Sequence, residues 1–128
     1  MRNAAIAESV AIDVHGGRIE ADLRMPEHAA GLVIFAHGSG SSRFSGRNRA
    51  VAEFLENRGF ATLLLDLLTR SEEKIDVHTR AFRFDIGRLG QRLVTATDWA
   101  QGRLDLGSLP VGYFGASTGA AAALIAAA

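Results

Sequence analysis

The sequence predicts an α/β fold in which an antiparallel hairpin precedes a mostly parallel sheet with helices on both faces. Three short runs of continuous apolar residues are typical of strands that are buried on both sides. Two of these runs are followed by segments with apolar residues at helical spacing, and the third leads into a small, apolar helix. Alternating strands and helices favour a three-layer α/β arrangement with short crossovers.

Length and composition indicate one globular domain over residues 1–128. The chain has 48% hydrophobic and 22% charged residues, and its 14 Lys+Arg balance its 14 Asp+Glu. Because a net charge of zero supplies no field to hold nucleic acid or an anionic membrane, neither is expected as a partner. No leader-like apolar core follows Met1, and the longest apolar run, Ala120 to Ala128, is about half a membrane span. These features predict a cytoplasmic protein.

The residue types also argue against several kinds of site. The absence of cysteine removes disulfides, thiolate metal sites and a cysteine nucleophile. The His-Glu-x-x-His pattern and the Gly-Lys-Ser/Thr of a P-loop are missing, and the acidic residues are scattered. We therefore expect neither a metal nor a cofactor.

The hairpin is predicted from two alternating segments, Ser9 to His15 and Arg18 to Met25, which are joined at Gly16-Gly17. After Pro26 the pattern changes, and the continuous apolar run Leu32 to Ala36 predicts the first strand of a buried parallel sheet. The first two strands are therefore expected to be antiparallel, and the later ones parallel.

The first helix is predicted over Asn48 to Arg58, after a loop rich in glycine and serine, and Gly59 closes it. Its inner face is expected to carry three apolar residues, Val51, Phe54 and Leu55. Arg47 and Arg49, with Arg43 in the preceding loop, either contact an anionic substrate or keep their charges in water, and solvation is the favoured interpretation.

The second buried strand is predicted over Phe60 to Leu65 and ends in Asp66. The charged stretch from Thr69 to Arg83 is expected to be a solvated loop. Asp85 is a candidate N-cap for a second helix that ends around Gly102. Apolar residues recur near helical spacing along it, at Ile86, Leu89, Leu93, Val94 and Trp99.

A candidate nucleophile follows the third buried strand, Leu109 to Phe114. The five residues Gly115-Ala116-Ser117-Thr118-Gly119 fit G-x-S-x-G, in which a serine sits on a sharp turn between strand and helix with its hydroxyl exposed. The two glycines allow the close packing that this turn requires. The simpler interpretation is that Ser117 only caps a helix in a glycine-rich turn. The position between an apolar strand and a small-residue helix favours the nucleophile.

A serine nucleophile also needs hydrogen-bond donors that face the oxyanion. The backbone N–H of Thr118 is the first candidate, because it directly follows the serine. The second is expected in the glycine-rich loop that begins at His37 and Gly38, and Ser39 is the residue chosen there. Its role would come from its backbone, and the ring of His37 is expected to be structural.

Four spaced segments resemble bacterial α/β-hydrolases of the dienelactone hydrolase-like kind. They read LVIFAHGSGSSR from Leu32, DLLT from Asp66, RFDIG from Arg83 and GYFGASTGAAA from Gly112. The resemblance covers most of residues 32–128. It implies an α/β-hydrolase sheet with strand order 1-2-4-3-5, a nucleophile at Ser117 and an oxyanion loop from His37 to Ser41. The implied substrate is a small-molecule ester or lactone.

The chain departs from this family in two ways. Dienelactone hydrolases proper have cysteine where this chain has Ser117, which puts a lactone substrate in doubt. In the family, the acid and the histidine follow the elbow on later strands, in the order Ser, Asp, His. Since only eleven residues follow Ser117, we expect the chain to be a truncated, N-terminal part of the fold and inactive alone. Some relatives are fused to a phosphoribosyltransferase domain.

Residues already present offer a less favoured acid and base. Asp66 ends a strand at the same sheet edge as Ser117, and His78 lies in the stretch expected to be a flexible loop. A relay from Ser117 through His78 to Asp66 would need the imidazole within about 3 Å of the serine oxygen. The alternative is that Asp66 caps its strand or pairs with arginine while His78 is solvated.

Two other functional classes remain open. The segment from Gly38 to Arg43 follows a strand and opens toward a helix, as in a nucleotide-binding Rossmann-like domain, although its third glycine position is Arg43. A non-catalytic remnant or interaction module is the third possibility. An unpaired strand from Leu109 to Phe114 at the sheet edge would also promote self-association.

Overall fold

The computed structural model describes residues 4–36, 46–82 and 85–115, which form one mixed sheet flanked by helices. The sheet order is β1-β2-β4-β3-β5, as the family resemblance implied. The elements run in the order β1 (Ala4–Val14), β2 (Gly17–Pro26), β3 (Leu32–Ala36), α1 (Gly46–Glu56), β4 (Ala61–Leu65), α2 (Arg70–Thr79), α3 (Ile86–Gln101) and β5 (Val111–Gly115).

The predicted hairpin is present, and its turn lies at the edge of the sheet where the parallel strands end. Gly16 and Gly17 have φ values of 99° and 147°, which side chains with a Cβ rarely adopt. β2 is antiparallel to β4, with Ala21 opposite Leu65, whereas β3 is parallel to both β4 and β5. The β1–β2 turn therefore lies at the same edge as the carboxyl ends of the three parallel strands.

The parallel strands β3 and β4 are buried on two faces, as their continuous apolar runs predicted, whereas β5 at the end of the described sheet is partly buried. Ile34 of β3 and Leu63 of β4 belong to the larger apolar cluster, which also contains the inner residues of α3. Phe35 and Leu64, the next residues along the same strands, pack in a second cluster with α1. α1 and α3 thus cover opposite faces of the sheet.

One residue of α1 does not face the way the sequence predicted. Val51 and Leu55 pack against the second cluster, but the side chain of Phe54 is 54% exposed. Its ring lies under the guanidinium of Arg58, with 4.0 Å from the guanidinium carbon to the ring centroid. The buried apolar residue of α1 is Ala52, whose small side chain allows the helix to lie close to the sheet.

The prediction of a solvated loop from Thr69 to Arg83 is wrong, because this stretch contains α2. The Thr69 hydroxyl accepts the N–H of Glu72 at 3.2 Å, and a Glu72 carboxylate oxygen accepts the N–H of Thr69 at 3.0 Å. This reciprocal capping box starts the helix. The residues that face inward are charged, Glu72 and Asp76, so no apolar periodicity marked the helix in the sequence.

The second predicted helix is confirmed as α3. Asp85 is its N-cap and accepts the N–H of Arg88 at 3.1 Å, and Gly102 is its C-cap. No helix within residues 4–36, 46–82 and 85–115 is both long and apolar enough to cross a membrane. At the end of the sheet, β5 pairs with β3 in the described part of the chain, and association through its outer edge stays a prediction.

Candidate active site

The order of the parallel strands creates a topological switch point between β3 and β5. From β3 the chain passes through α1 to β4 on one side, and from β4 it returns through α3 to β5 on the other side. The two helices lie on opposite faces of the sheet. In open α/β sheets, ligands bind at such a switch point, outside the carboxyl ends of the strands.

The register ends the two strands that precede the predicted site segments at the same level. Ala36, the last residue of β3, is paired with Gly115, the last residue of β5. The chain segments that begin at His37 and Ala116 therefore leave adjacent strands at the same level. Gly115 is described. The remaining predicted site residues on these segments lie outside the described residues, namely His37, Gly38, Ser39, Ser117, Thr118 and Gly119.

β5 is held on both of its faces near its carboxyl end. The ring of Phe114 lies 5.1 Å from the ring of Phe35, centroid to centroid, on the α1 side. On the α3 side, the hydroxyls of Tyr113 and Thr97 are hydrogen-bonded at 2.7 Å. These contacts orient the strand end from which the candidate nucleophile follows.

Asp66 and His78 both lie within the described residues, but Asp66 is at the end of a strand and His78 is on a helix. Asp66 directly follows β4 and is half-buried, and its N–H donates to the carbonyl of Glu20 at 2.9 Å. Because β3 separates β4 from β5, the backbone at Asp66 is about 10 Å from the end of β5. His78 is exposed in the last turn of α2, not in a loop. Their relay with Ser117 stays a prediction.

A buried ion pair that sequence reasoning missed lies at the β4 side of the same edge. Two guanidinium nitrogens of Arg92 donate to the two carboxylate oxygens of Glu72, each at 2.7 Å. Arg88 donates to the same carboxylate at 2.9 Å. Arg92 also donates to the carbonyls of Leu67 at 3.0 Å and His15 at 3.2 Å. One side chain thus joins α3, α2, the end of β4 and the hairpin turn.

These contacts explain the acidity of Glu72. Burial by itself raises the pKa of its carboxyl group, but hydrogen bonds from Arg92, from the N–H of Thr69 and from Arg88 outweigh burial. Together with the charge of Arg92, they lower the pKa of Glu72 from 4.5 to about 2. Glu72 is therefore an anion throughout the neutral range.

Acid should weaken this part of the fold. Because the folded-state pKa of Glu72 lies below its ordinary value, its charge stabilises the protein fully above pH 4.5, and this contribution is lost as the pH falls toward 2. The loss is at most about 3 kcal/mol, because solvent screens part of the interaction. We expect urea unfolding to show the wild type more stable than Glu72→Gln near neutral pH, with the difference shrinking between pH 4.5 and 2. A difference that does not change with pH would contradict this assignment.

On the α1 side of the sheet, Arg49 is paired with a carboxylate, whereas the sequence favoured a solvated side chain. It forms an ion pair with Asp22 of β2, and 32% of its side chain is exposed. Asp22 also accepts a hydrogen bond from the Ser9 hydroxyl at 3.1 Å. The pair ties the first turn of α1 to the sheet. Arg47 is exposed, and Arg43 lies outside the described residues.

Comparison with solved structures identifies hydrolases that share this sheet. A dienelactone hydrolase from Anabaena variabilis is 56% identical, with a TM-score of 0.92 over 95% of this chain and 56% of that one. Est1E from Butyrivibrio proteoclasticus is 25% identical, with a TM-score of 0.73 over 93% of this chain and 44% of that one. The carboxylesterase EstE1 from a metagenomic library shares the fold. It is 21% identical, with a TM-score of 0.67 over 96% of this chain and 40% of that one.

Comparison with curated sequences gives a different name. Over 106 residues, the chain is 60% identical to proteins from two strains of Mycobacterium tuberculosis that are provisionally named phosphoribosyl transferases. The match covers 83% of this chain but 23% of each relative, so the chain spans about a quarter of their length. No family model matches the sequence.

Proposed function

This chain has the α/β-hydrolase fold and is similar over nearly its whole length to a dienelactone hydrolase, and from that premise we propose that it carries the nucleophile and oxyanion hole of a serine hydrolase. The substrates are carboxylic esters or lactones. The observation that carries the proposal is the pairing of Ala36 with Gly115 at the switch point of the sheet. This pairing brings the starts of the glycine-rich loop and the G-x-S-x-G turn together.

In the proposed reaction, the Ser117 hydroxyl attacks the carbonyl carbon of the ester while a general base accepts its proton. The backbone N–H groups of Thr118 and Ser39 stabilise the oxyanion of the tetrahedral intermediate. The C–O bond to the leaving alkoxide breaks, the alkoxide takes up the proton, and an acyl group remains on Ser117. Water then attacks the acyl group, which releases the acid and restores the serine.

The base is proposed to lie outside this chain's described residues. In the family, the acid and histidine follow the elbow on later strands, and the whole protein is expected to supply them in that order. The alternative pair is less well supported. Asp66 is separated from β5 by an intervening strand, and His78 is on the exposed side of α2.

The phosphoribosyl transferase name is compatible with this proposal. The match leaves about three quarters of each Mycobacterium protein uncovered. Because some relatives of the resembled family are fused to a phosphoribosyltransferase domain, we propose that the name describes the uncovered part. Binding of a nucleotide by this chain has less support, because the solved structures that share its sheet carry hydrolase or carboxylesterase names. The labelling experiment described next distinguishes the proposed hydrolase from a non-catalytic remnant.

The test is covalent labelling of the whole protein with a fluorophosphonate, followed by mass spectrometry of its peptides. A reactive serine at a working oxyanion hole is expected to carry the label on the peptide that contains Ser117, and Ser117→Ala should abolish it. The exposed Ser108, which precedes β5, provides the matched control as Ser108→Ala and should leave labelling unchanged. A folded whole protein that takes no label would overturn the proposal in favour of the remnant.

The oxyanion role of Ser39 makes its own prediction. Ser39→Ala keeps the backbone N–H and should change kcat for an activated ester by less than about threefold, within the range of a minor contact. Ser39→Pro removes the donor and should lower kcat by about 10²- to 10³-fold. Steady-state kinetics of the whole protein measure both. Equal effects of the two substitutions would mean that the backbone of Ser39 is not the donor.

A further inference from the structure

The inward and outward faces of α2 are reversed relative to an ordinary surface helix. Its buried side chains are the carboxylates of Glu72 and Asp76, whereas Ile75 and Val77 are 49% and 65% exposed. Neither apolar cluster of the described residues includes a residue of α2. An ordinary surface helix is held by an apolar stripe, so α2 is attached by a different means.

Polar contacts tie α2 to the rest of the described chain. Arg70 donates to Glu20 of β2 at 2.9 Å, but this pair is exposed and contributes little. Asp76 accepts the N–H of Phe82, just beyond the helix, at 2.9 Å. A buried attachment of α2 to the body of the protein is the ion pair between Glu72 and Arg92, with Arg88 at its rim.

Glu72 has two tasks in this arrangement, and they depend on one carboxylate. One of its oxygens accepts the N–H of Thr69 and so closes the capping box that starts α2. The same carboxylate binds the guanidinium groups of Arg92 and Arg88 and so docks the helix. A helix of ten residues is too short to persist alone in water. Undocking and unfolding of α2 are therefore coupled through Glu72.

Arg92 has other hydrogen-bond partners besides Glu72. Its guanidinium also donates to the carbonyls of Leu67 and His15, which belong to the body of the fold. When Glu72 leaves, Arg92 keeps these two hydrogen bonds and can take up water at the vacated positions. The desolvation cost that usually prevents a buried ion pair from separating is thereby reduced.

We propose that α2 is a detachable strap at the carboxyl edge of the sheet, with Glu72 as its latch, which undocks and unfolds while the sheet and α3 stay folded. The strap begins four residues after Asp66, so its release changes access to this edge from the β4 side. That consequence for substrate entry rests on the proposed function, whereas the detachment itself does not.

The test is native-state hydrogen exchange of the whole protein at increasing, sub-denaturing concentrations of urea. Backbone amides of α2 are expected to exchange through a local opening, with protection at least about 100-fold lower than that of β3 and β4 and little dependence on urea. If α2 amides show the same protection and urea dependence as the sheet, the helix opens only by global unfolding and the strap is refuted.

Variants test the latch itself. Glu72→Gln is expected to lower the protection of α2 by about 10- to 100-fold, the range for a charged hydrogen-bonding group. Thr69→Ala, a milder change that removes one cap, should lower it about fivefold. Glu73→Gln alters the exposed neighbour on the same helix and should leave protection unchanged. Equal effects of Glu72→Gln and Glu73→Gln, or a sheet that fails to fold in Glu72→Gln, would overturn the proposal.

Discussion

Replacing Ser117 with alanine is expected to lower kcat of the whole protein for an activated ester by about 10⁴- to 10⁶-fold. This is the range measured when the nucleophile of a serine hydrolase is removed, because no other group can form the acyl intermediate. The remaining rate should exceed that of water, since binding and the oxyanion amides still act on the transition state. Steady-state kinetics with an activated ester measure the effect.

Two controls separate this result from a loss of folding. Ser108→Ala changes an exposed serine on the approach to β5 and should keep the wild-type kcat. The Ser117→Ala protein should keep the wild-type thermal midpoint, because the substitution removes one hydroxyl. Wild-type turnover by Ser117→Ala would exclude Ser117 as the nucleophile.

Arg92→Met should produce the largest loss of stability in the described part of the chain, about 3 kcal/mol or more. The substitution removes both hydrogen bonds to the buried carboxylate of Glu72 and leaves the carbonyls of Leu67 and His15 without their donor. Breaking a buried ion pair from one side costs about 3–5 kcal/mol, and α2 can relieve part of that cost by releasing Glu72 to water. Urea unfolding measures the change.

The matched control is Arg88→Met, which removes the other cation on the same carboxylate. The side chain of Arg88 is 40% exposed against 5% for Arg92, so its loss should cost about 1 kcal/mol or less. Similar costs for the two substitutions would show that Arg92 does not act through its burial and its two carbonyl partners. A larger cost for Arg92→Met than for Arg88→Met would show that Arg92 bridges parts of the fold, whereas Arg88 forms a surface ion pair.

The strands β3 and β4 were predictable because each one buries both faces. A continuous apolar run as short as Leu32 to Ala36 favours a buried strand over a helix, and its bounds match β3. The hairpin was marked by two adjacent glycines with positive φ. The order of the strands in the sheet could not be predicted from such local patterns. Periodicity does not determine which strands are neighbours, and the order came from the resemblance of four segments to a family.

Helix α2 was missed for a physical reason. Sequence patterns detect helices through an apolar stripe, and the inner face of α2 is formed by Glu72 and Asp76. Thr69-x-x-Glu72 was the available signal, since this spacing is that of a capping box. The partner of Glu72 lies 20 residues further along the chain at Arg92, and no local pattern relates the two.

The site was predictable in its parts and not in its assembly. G-x-S-x-G and the glycine-rich loop are visible in the sequence, but 78 residues separate Ser39 from Ser117. The parallel register of β3 and β5, with Ala36 opposite Gly115, brings together the strand ends that precede the two segments. Asp66 reaches the same edge on the other side of β3, so a shared sheet edge alone did not predict proximity to the nucleophile.

The most direct test of the central claim is to trap the acyl group on Ser117. The whole protein would be mixed with an activated ester, quenched in acid during the first turnover and digested for mass spectrometry. The account predicts an acyl group on the peptide that contains Ser117, and none in Ser117→Ala. Turnover of the ester with no acyl group on that peptide, or with the acyl group on another residue, would contradict a serine hydrolase that acts through Ser117.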